Sequence, residues 1–173
     1  TRTYLNAHPE VNVVMWSWCG QADTSADNIN TYLNLMNQLE TDYPDVMFVY
    51  MTGHLVGTGG SGNLNQRNEQ IRNYVNANNR ILYDFADIES FDPDGIINFM
   101  VLNADDNCTY NNNVNNNWAT EWQNSHTEGV DWYDCSPAHT QALNGNQKAY
   151  AAWWLWARLG GWDGTPVPEQ EPS

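Results

Sequence analysis

The chain has 173 residues and a formal net charge of -15, from 21 Asp+Glu against six Lys+Arg, and it carries nine tryptophans and nine tyrosines. Its length fits one domain with a real core, and a hydrophobic share of 41% excludes a disordered chain despite a mean hydropathy of -0.64. The charge repels phosphate backbones and anionic bilayer surfaces, which argues against nucleic acid as a partner, and the longest aromatic run, Ala149 to Leu159, is too short to span a bilayer.

Asparagine supplies much of the polar surface, above all between Asn103 and Asn124. An acidic, Asn-rich, Lys-poor and aromatic-rich composition points to an extracellular or cell-surface protein. The opening TRTYLNAHPE has no Met and no apolar run. The chain is therefore expected to be a processed product or to start inside a longer protein.

Residues 1–8 read as the end of a helix, stopped by His8-Pro9. Val11 to Trp18 (VNVVMWSW) is a near-continuous, β-branched apolar run, which predicts a strand buried on both faces and hence a parallel sheet. Alternation puts Ser17 and Cys19 on one face and Trp16 and Trp18 on the other. Asp23, Thr24 or Ser25 then starts a helix in which Ile29, Tyr32, Leu33, Met36 and Leu39 recur at helical spacing. Tyr43-Pro44 closes it. Strands are predicted over 11–17, 46–51 (VMFVYM at its core) and 81–85 (ILYDF). A Gly-rich loop, 53–62, and a helix over about 63–78, with Ile71, Tyr74 and Val75 inward, lie between the last two. Asp84 and Asp87 fall at the end of the third strand, where α/β proteins place chemistry.

Strand, helix, strand, helix, strand is the rhythm of a parallel sheet with helices on its faces. The fold class is therefore α/β, with three layers. Residues 92–133 break the rhythm as a long irregular Asn-rich insertion that includes YNNNVNNNW. Such an insertion in a compact domain is functional or disordered. Asp131 to Trp162 forms a loop and a final helix. Asn144 or Asn146 is placed to cap it, Gly160-Gly161 to end it, and Ala149, Tyr150, Trp153, Trp154 and Ala157 to give its apolar face. The two helix tryptophans are thus expected in the core. The domain spans 1–162, and 163–173 reads as a Pro/Glu-rich tail or linker.

Cys108 and Cys135 lie in loop-like sequence. In an extracellular chain they are expected to form a disulfide worth roughly 3 kcal/mol in the chain-entropy model; the other reading is three free thiols. The four histidines, at 8, 54, 126 and 139, show no zinc-ligand spacing. Asp105 and Asp106 form an oxygen-rich loop of the kind that can hold calcium, and no other cofactor is indicated. Asn107-Cys108-Thr109 fits the N-glycosylation pattern.

The order VNVVMWSWCGQ, helix, VMFVYMTGH, NEQIRNYVNANNRILYDFADIES, then a loop with His139 and a final helix, resembles the SGNH (GDSL-type) hydrolase fold. That resemblance covers about residues 5–159 and implies a flavodoxin-like strand order. It aligns Trp18-Cys19-Gly20-Gln21 with the family's Gly-x-Asn-Asp block and Ser136-Pro137-Ala138-His139 with its Asp-x-x-His block. It implies His139 as base, Asp134 as the orienting acid, and Gly20 and Gln21 as oxyanion-like groups. The family's Gly-Asp-Ser block does not occur in the sequence. Cys19 and Ser17 are the candidate replacements for the nucleophile.

Two functions follow. One is a domain without competent catalysis that binds carbohydrate or another extracellular polymer, or serves as a surface module. Aromatic faces stack on sugar rings, and Trp118, Trp122, Trp132 and His54 are the candidate ligand-binding residues. The other is a carbohydrate O-acyl esterase with His139 as base and a nucleophile supplied by an N-terminal segment. Association with such a segment, or with further copies of the chain, belongs to both.

Overall fold

The computed structural model describes residues 1–165; most of the expected tail lies outside the described residues. Strands β1 (Val13–Met15), β2 (Met47–Met51) and β3 (Ile81–Tyr83) form a parallel sheet in that order. Val14 pairs with Phe48, and Tyr50 with Leu82. The expected strands are present but shorter. Helices α2 (Ala26–Asp42) and α3 (Asn63–Ala77) make the crossovers. Ser25 caps α2 by accepting the Asn28 N–H at 3.2 Å.

Alternation along β2 divides the core in two. Phe48 and Tyr50 face α2 and α3, against Ile29, Tyr32, Met36 and Ile71. Val49 and Met51 face the final helix, α6 (Ala142–Leu159), with Leu155 and Tyr83. The sheet is therefore flanked by helices on both faces. The α1 helix (Arg2–Ala7) joins the core on the α2 and α3 side through buried Leu5.

Two expectations about packing are corrected. First, β1 is an edge strand and is not buried on both faces. Met15 and Trp16 are each 37% exposed. Second, α6 is rolled away from the expected face. Leu155, Ala151, Ala152 and Leu159 meet the sheet, while Tyr150, Trp153 and Trp154 point outward. Polar anchors set this roll. Lys148 Nζ reaches the buried Glu89 carboxylate at 2.7 Å, and the Tyr83 hydroxyl donates to Lys148 O at 2.7 Å. Neither Asn144 nor Asn146 caps the helix, whose N-cap is Gln141. Asn144 is buried and donates to Thr140 Oγ1 at 2.8 Å, and Asn146 bonds both backbone groups of Tyr133.

The irregular insertion is folded. Its 3-10 turn (Phe99–Leu102), a hairpin of β4 (Thr109–Tyr110) and β5 (Asn113–Asn117), and α5 (Trp118–Asn124), with the short helix α4 (Phe85–Ile88) that precedes it, enclose a second core of Phe99, Cys108, Trp118 and Leu143. Asn111 and Asn112 both have positive φ, 56° and 53°. They join paired Tyr110 and Asn113 as a two-residue turn, a conformation asparagine tolerates.

Candidate functional site

The carboxyl ends of the strands meet in a rim built from three loops. After β1 comes Trp16 to Gln21, with a 3-10 turn over Gly20–Ala22. After β2 comes Thr52-Gly53-His54. A Cβ on Gly53 would lie 2.4 Å from Ala22 Cβ, so only glycine lets the two loops approach this closely. Buried Asn68 fixes the approach, accepting the Gly53 N–H at 2.8 Å and donating to Gly53 O at 3.1 Å. Asp84, after β3, is committed to structure. Arg72 donates to it at 2.6 and 2.8 Å and Thr52 at 2.9 Å. Burial pushes the Asp87 carboxyl above its usual range, and the neighbouring Asp84 adds to this.

His54 is the histidine this rim holds. Its Nδ1 lies 2.9 Å from Leu55 O and 3.7 Å from Asp106 Oδ2. A Cβ on Gly20 would meet only His54 Nε2, at 4.0 Å, so that nitrogen borders the loop after β1. Asp105 bridges to Val56 across an isolated antiparallel pair and brings Asp106 to the histidine. The Asp105 carboxylate is used within its own loop, accepting from Asn107 N at 3.1 Å, Thr109 N at 2.9 Å and Thr109 Oγ1 at 2.5 Å. Among the described residues no group of three or more His, Cys, Asp or Glu side chains is gathered in a way that could hold a metal ion.

The residues aligned with the catalytic blocks are not brought together. His139 is exposed, with a left-handed φ of 61°. Asp134 is exposed as well, and no hydrogen bond or ion pair joins the two among the described residues. Ser17, Cys19, Gly20 and Gln21 are all exposed on the β1 loop. The expected disulfide is not made, since Cys108 and Cys135 are separate thiols. They meet different parts of the first turns of α6. Cys108 Sγ sits 3.4 Å from both Thr140 Oγ1 and Asn144 Nδ2. The Cys135 thiol donates to Ala142 O at 3.7 Å and accepts from Asn146 Nδ2 at 3.6 Å. Burial pushes the Cys108 thiol up.

Of the tryptophans expected to bind ligand, Trp118 is corrected to a core residue, while Trp122 and Trp132 keep part of their surface. Trp118 is 1% exposed and stacks on Phe99 with centroids 5.5 Å apart. Trp132 is half-buried against the same core. Trp122, also half-buried, stacks on His126 at 3.5 Å. These rings close the second core because the insertion needs its own apolar interior.

A groove of about 930 Å³ lies on the α2 side of the rim, and none of the residues proposed from sequence except Gln21 lines it. Trp16, Trp18 and Tyr32 form its aromatic wall. Trp16 and Trp18 meet edge to face at 4.9 Å, and each lies within about 5 Å of Tyr32, at 5.1 and 4.9 Å. Gln21, Asp23, Asn28, Thr31 and Gln38 supply polar groups around it. Burial is the main cause that raises the Tyr32 phenol above its usual range, so it stays protonated as a donor. Trp18 Nε1 and the Tyr32 hydroxyl are buried without a well-formed hydrogen bond. The signal in the sequence was the WSW triplet placed beside the inward Tyr32 of the following helix, which the expectation of a strand buried on both faces hid. Comparison with protein-family models, with curated proteins and with solved structures finds no match to this chain.

Proposed function

We propose that this chain is an extracellular α/β domain, akin in element order to the SGNH hydrolases, that binds carbohydrate in the groove between the β1 loop and α2. The observation that carries this reading is the pairing of an aromatic wall (Trp16, Trp18, Tyr32) with a rim of amides and hydroxyls, joined by Arg2 and Asp23, in one groove. A sugar ring offers an apolar C–H face to stack on indole and hydroxyls to pair with amides, so the two halves of the groove match the two halves of the ligand. The chain's acidity favours neutral glycans over polyanionic ones. The experiment is depletion of the purified protein by insoluble cellulose, xylan and chitin. Trp16→Ala is expected to weaken binding to the retained polymer about tenfold, the loss of one aromatic stack. Retention by none of the polymers, or retention unaffected by Trp16→Ala and Trp18→Ala, counts against the reading.

A second reading, ester hydrolysis, is favoured by the orientation of His54. A histidine whose Nδ1 is bonded to a backbone carbonyl, with a carboxylate 3.7 Å away, presents Nε2 as a base. A competent triad also requires an activated nucleophile, and the exposed Cys19 and Ser17 make no hydrogen bond to this histidine. The chain as given is expected to be weak or inactive on 4-nitrophenyl acetate and on acetylated xylan. Robust turnover lost in His54→Ala or His139→Ala would contradict that and point to Cys19 or Ser17.

A further inference from the structure

The second half of helix α6, Ala149 to Ala157, is apolar all round, which in a folded protein marks a helix covered on more than one side. Its inner face is covered by the sheet. Its outer face is not covered by any described residue. Tyr150 is 57% exposed, Trp153 73%, Trp154 58% and the flanking Trp156 40%. At roughly 150–250 Å² per aromatic side chain, these exposures amount to on the order of 450 Å² in one continuous stripe. Isolated chains seldom leave a patch of that size to water. The stripe also adds no carboxylate to an acidic molecule's meeting with its copy. None of the chain's 21 Asp and Glu side chains lies within 142–159, and Arg158 sets a positive charge beside the stripe. Arg158 lies over the Trp154 ring at 5.7 Å, so even the charged residue adds flat stacking surface.

We infer that α6 pairs through this outer stripe with the same stripe of a second copy, about a two-fold axis. A self-complementary patch is what a two-fold interface needs. Two stripes with their flanking Ala149, Ala157 and Arg158 side chains approach the roughly 1,000 Å² that a stable interface requires, and tryptophan and arginine are the side chains that carry most interface energy. The pairing is independent of the glycan groove, which lies across the sheet against α2.

Sedimentation of the full chain tests it. At about 50 μM, in the range where a modest interface is populated, the expected species has twice the 19.7 kDa chain mass. Trp153→Glu is expected to raise the dimer Kd by at least about thirtyfold, as loss of a central aromatic does. Since Trp153 is exposed, far-UV circular dichroism should not change, and Tm should match wild type at dilutions where both are monomers. Val114→Glu, at an equally open site (84% exposed), should leave the dimer intact. Raising salt from about 0.05 M to about 0.5 M should tighten the dimer, because it screens the repulsion between two acidic chains. A 19.7 kDa species at every concentration up to about 100 μM, or a dimer that survives Trp153→Glu, overturns the inference.

Discussion

Lys148→Met is expected to destabilise the protein by roughly 3–5 kcal/mol at neutral pH, the cost of leaving a buried carboxylate without its counter-charge. Glu89 is 0% exposed. One of its oxygens meets Lys148 Nζ at 2.7 Å and the other accepts the Leu55 N–H at 2.7 Å. Burial raises the Glu89 carboxyl above its ordinary value, and Lys148 opposes that rise. A carboxyl that is raised on folding holds its proton more tightly in the native state. Stability therefore falls as pH climbs from the unfolded to the folded value, and the full penalty stands above the folded value. Removing Lys148 enlarges that penalty. The loss should be largest at neutral pH and should shrink once the pH is low enough to protonate Glu89. Urea melts of both proteins at the two extremes give the answer. An equal loss at both would show that Lys148 acts through the Phe85 ring, where its Nζ lies 4.3 Å from the ring centre, and not through the Glu89 carboxylate.

Trp118→Ala is expected to cost about 3–5 kcal/mol, as large-to-small changes in a filled core do. In a chain of this length that lowers Tm by on the order of 10 °C. The indole is 1% exposed, packed against Phe99 and the small side chains Ala104, Cys108 and Ala119. Polymer binding by the fraction still folded should be unchanged. A variant that keeps its Tm and loses binding would restore Trp118 to the ligand site.

The βαβ frame was legible because each element carries its own period. Val46 to Met51 can be buried only as a strand, and Ile29 to Leu39 repeats at helical spacing. The insertion was not legible, because its asparagines act through backbone conformation. Asn111 and Asn112 take left-handed φ in a turn, and Asn117 caps α5 by accepting the Thr120 N–H at 3.0 Å. Neither role leaves an apolar pattern. The face of α6 was misread for a related reason. Over Ala149 to Ala157, where every side chain is apolar, periodicity cannot choose a side, and the choice falls to the two anchors at Lys148: its ion pair with Glu89, 59 residues away in sequence, and the Tyr83 hydroxyl on its carbonyl. The groove was missed because its wall combines two loop tryptophans with a helix tyrosine, a juxtaposition made only in three dimensions. The histidine brought into the rim is His54, because Gly53 packs against Ala22 and holds the β2 loop under the β1 loop. His139 stays in an exposed turn ahead of α6.

The central claim is that the groove beside β1 is where a glycan sits. The most direct test is an amide and indole NMR titration of the full chain with soluble neutral oligosaccharides of the polymer that retains it. The account predicts saturable shifts at the Trp16 and Trp18 indoles and the Gln21 and Gln38 side-chain amides, with none at Trp118 or Trp132. Shifts confined to Trp122, Trp132 and the β4–β5 hairpin, or no shifts with any oligosaccharide, would contradict it.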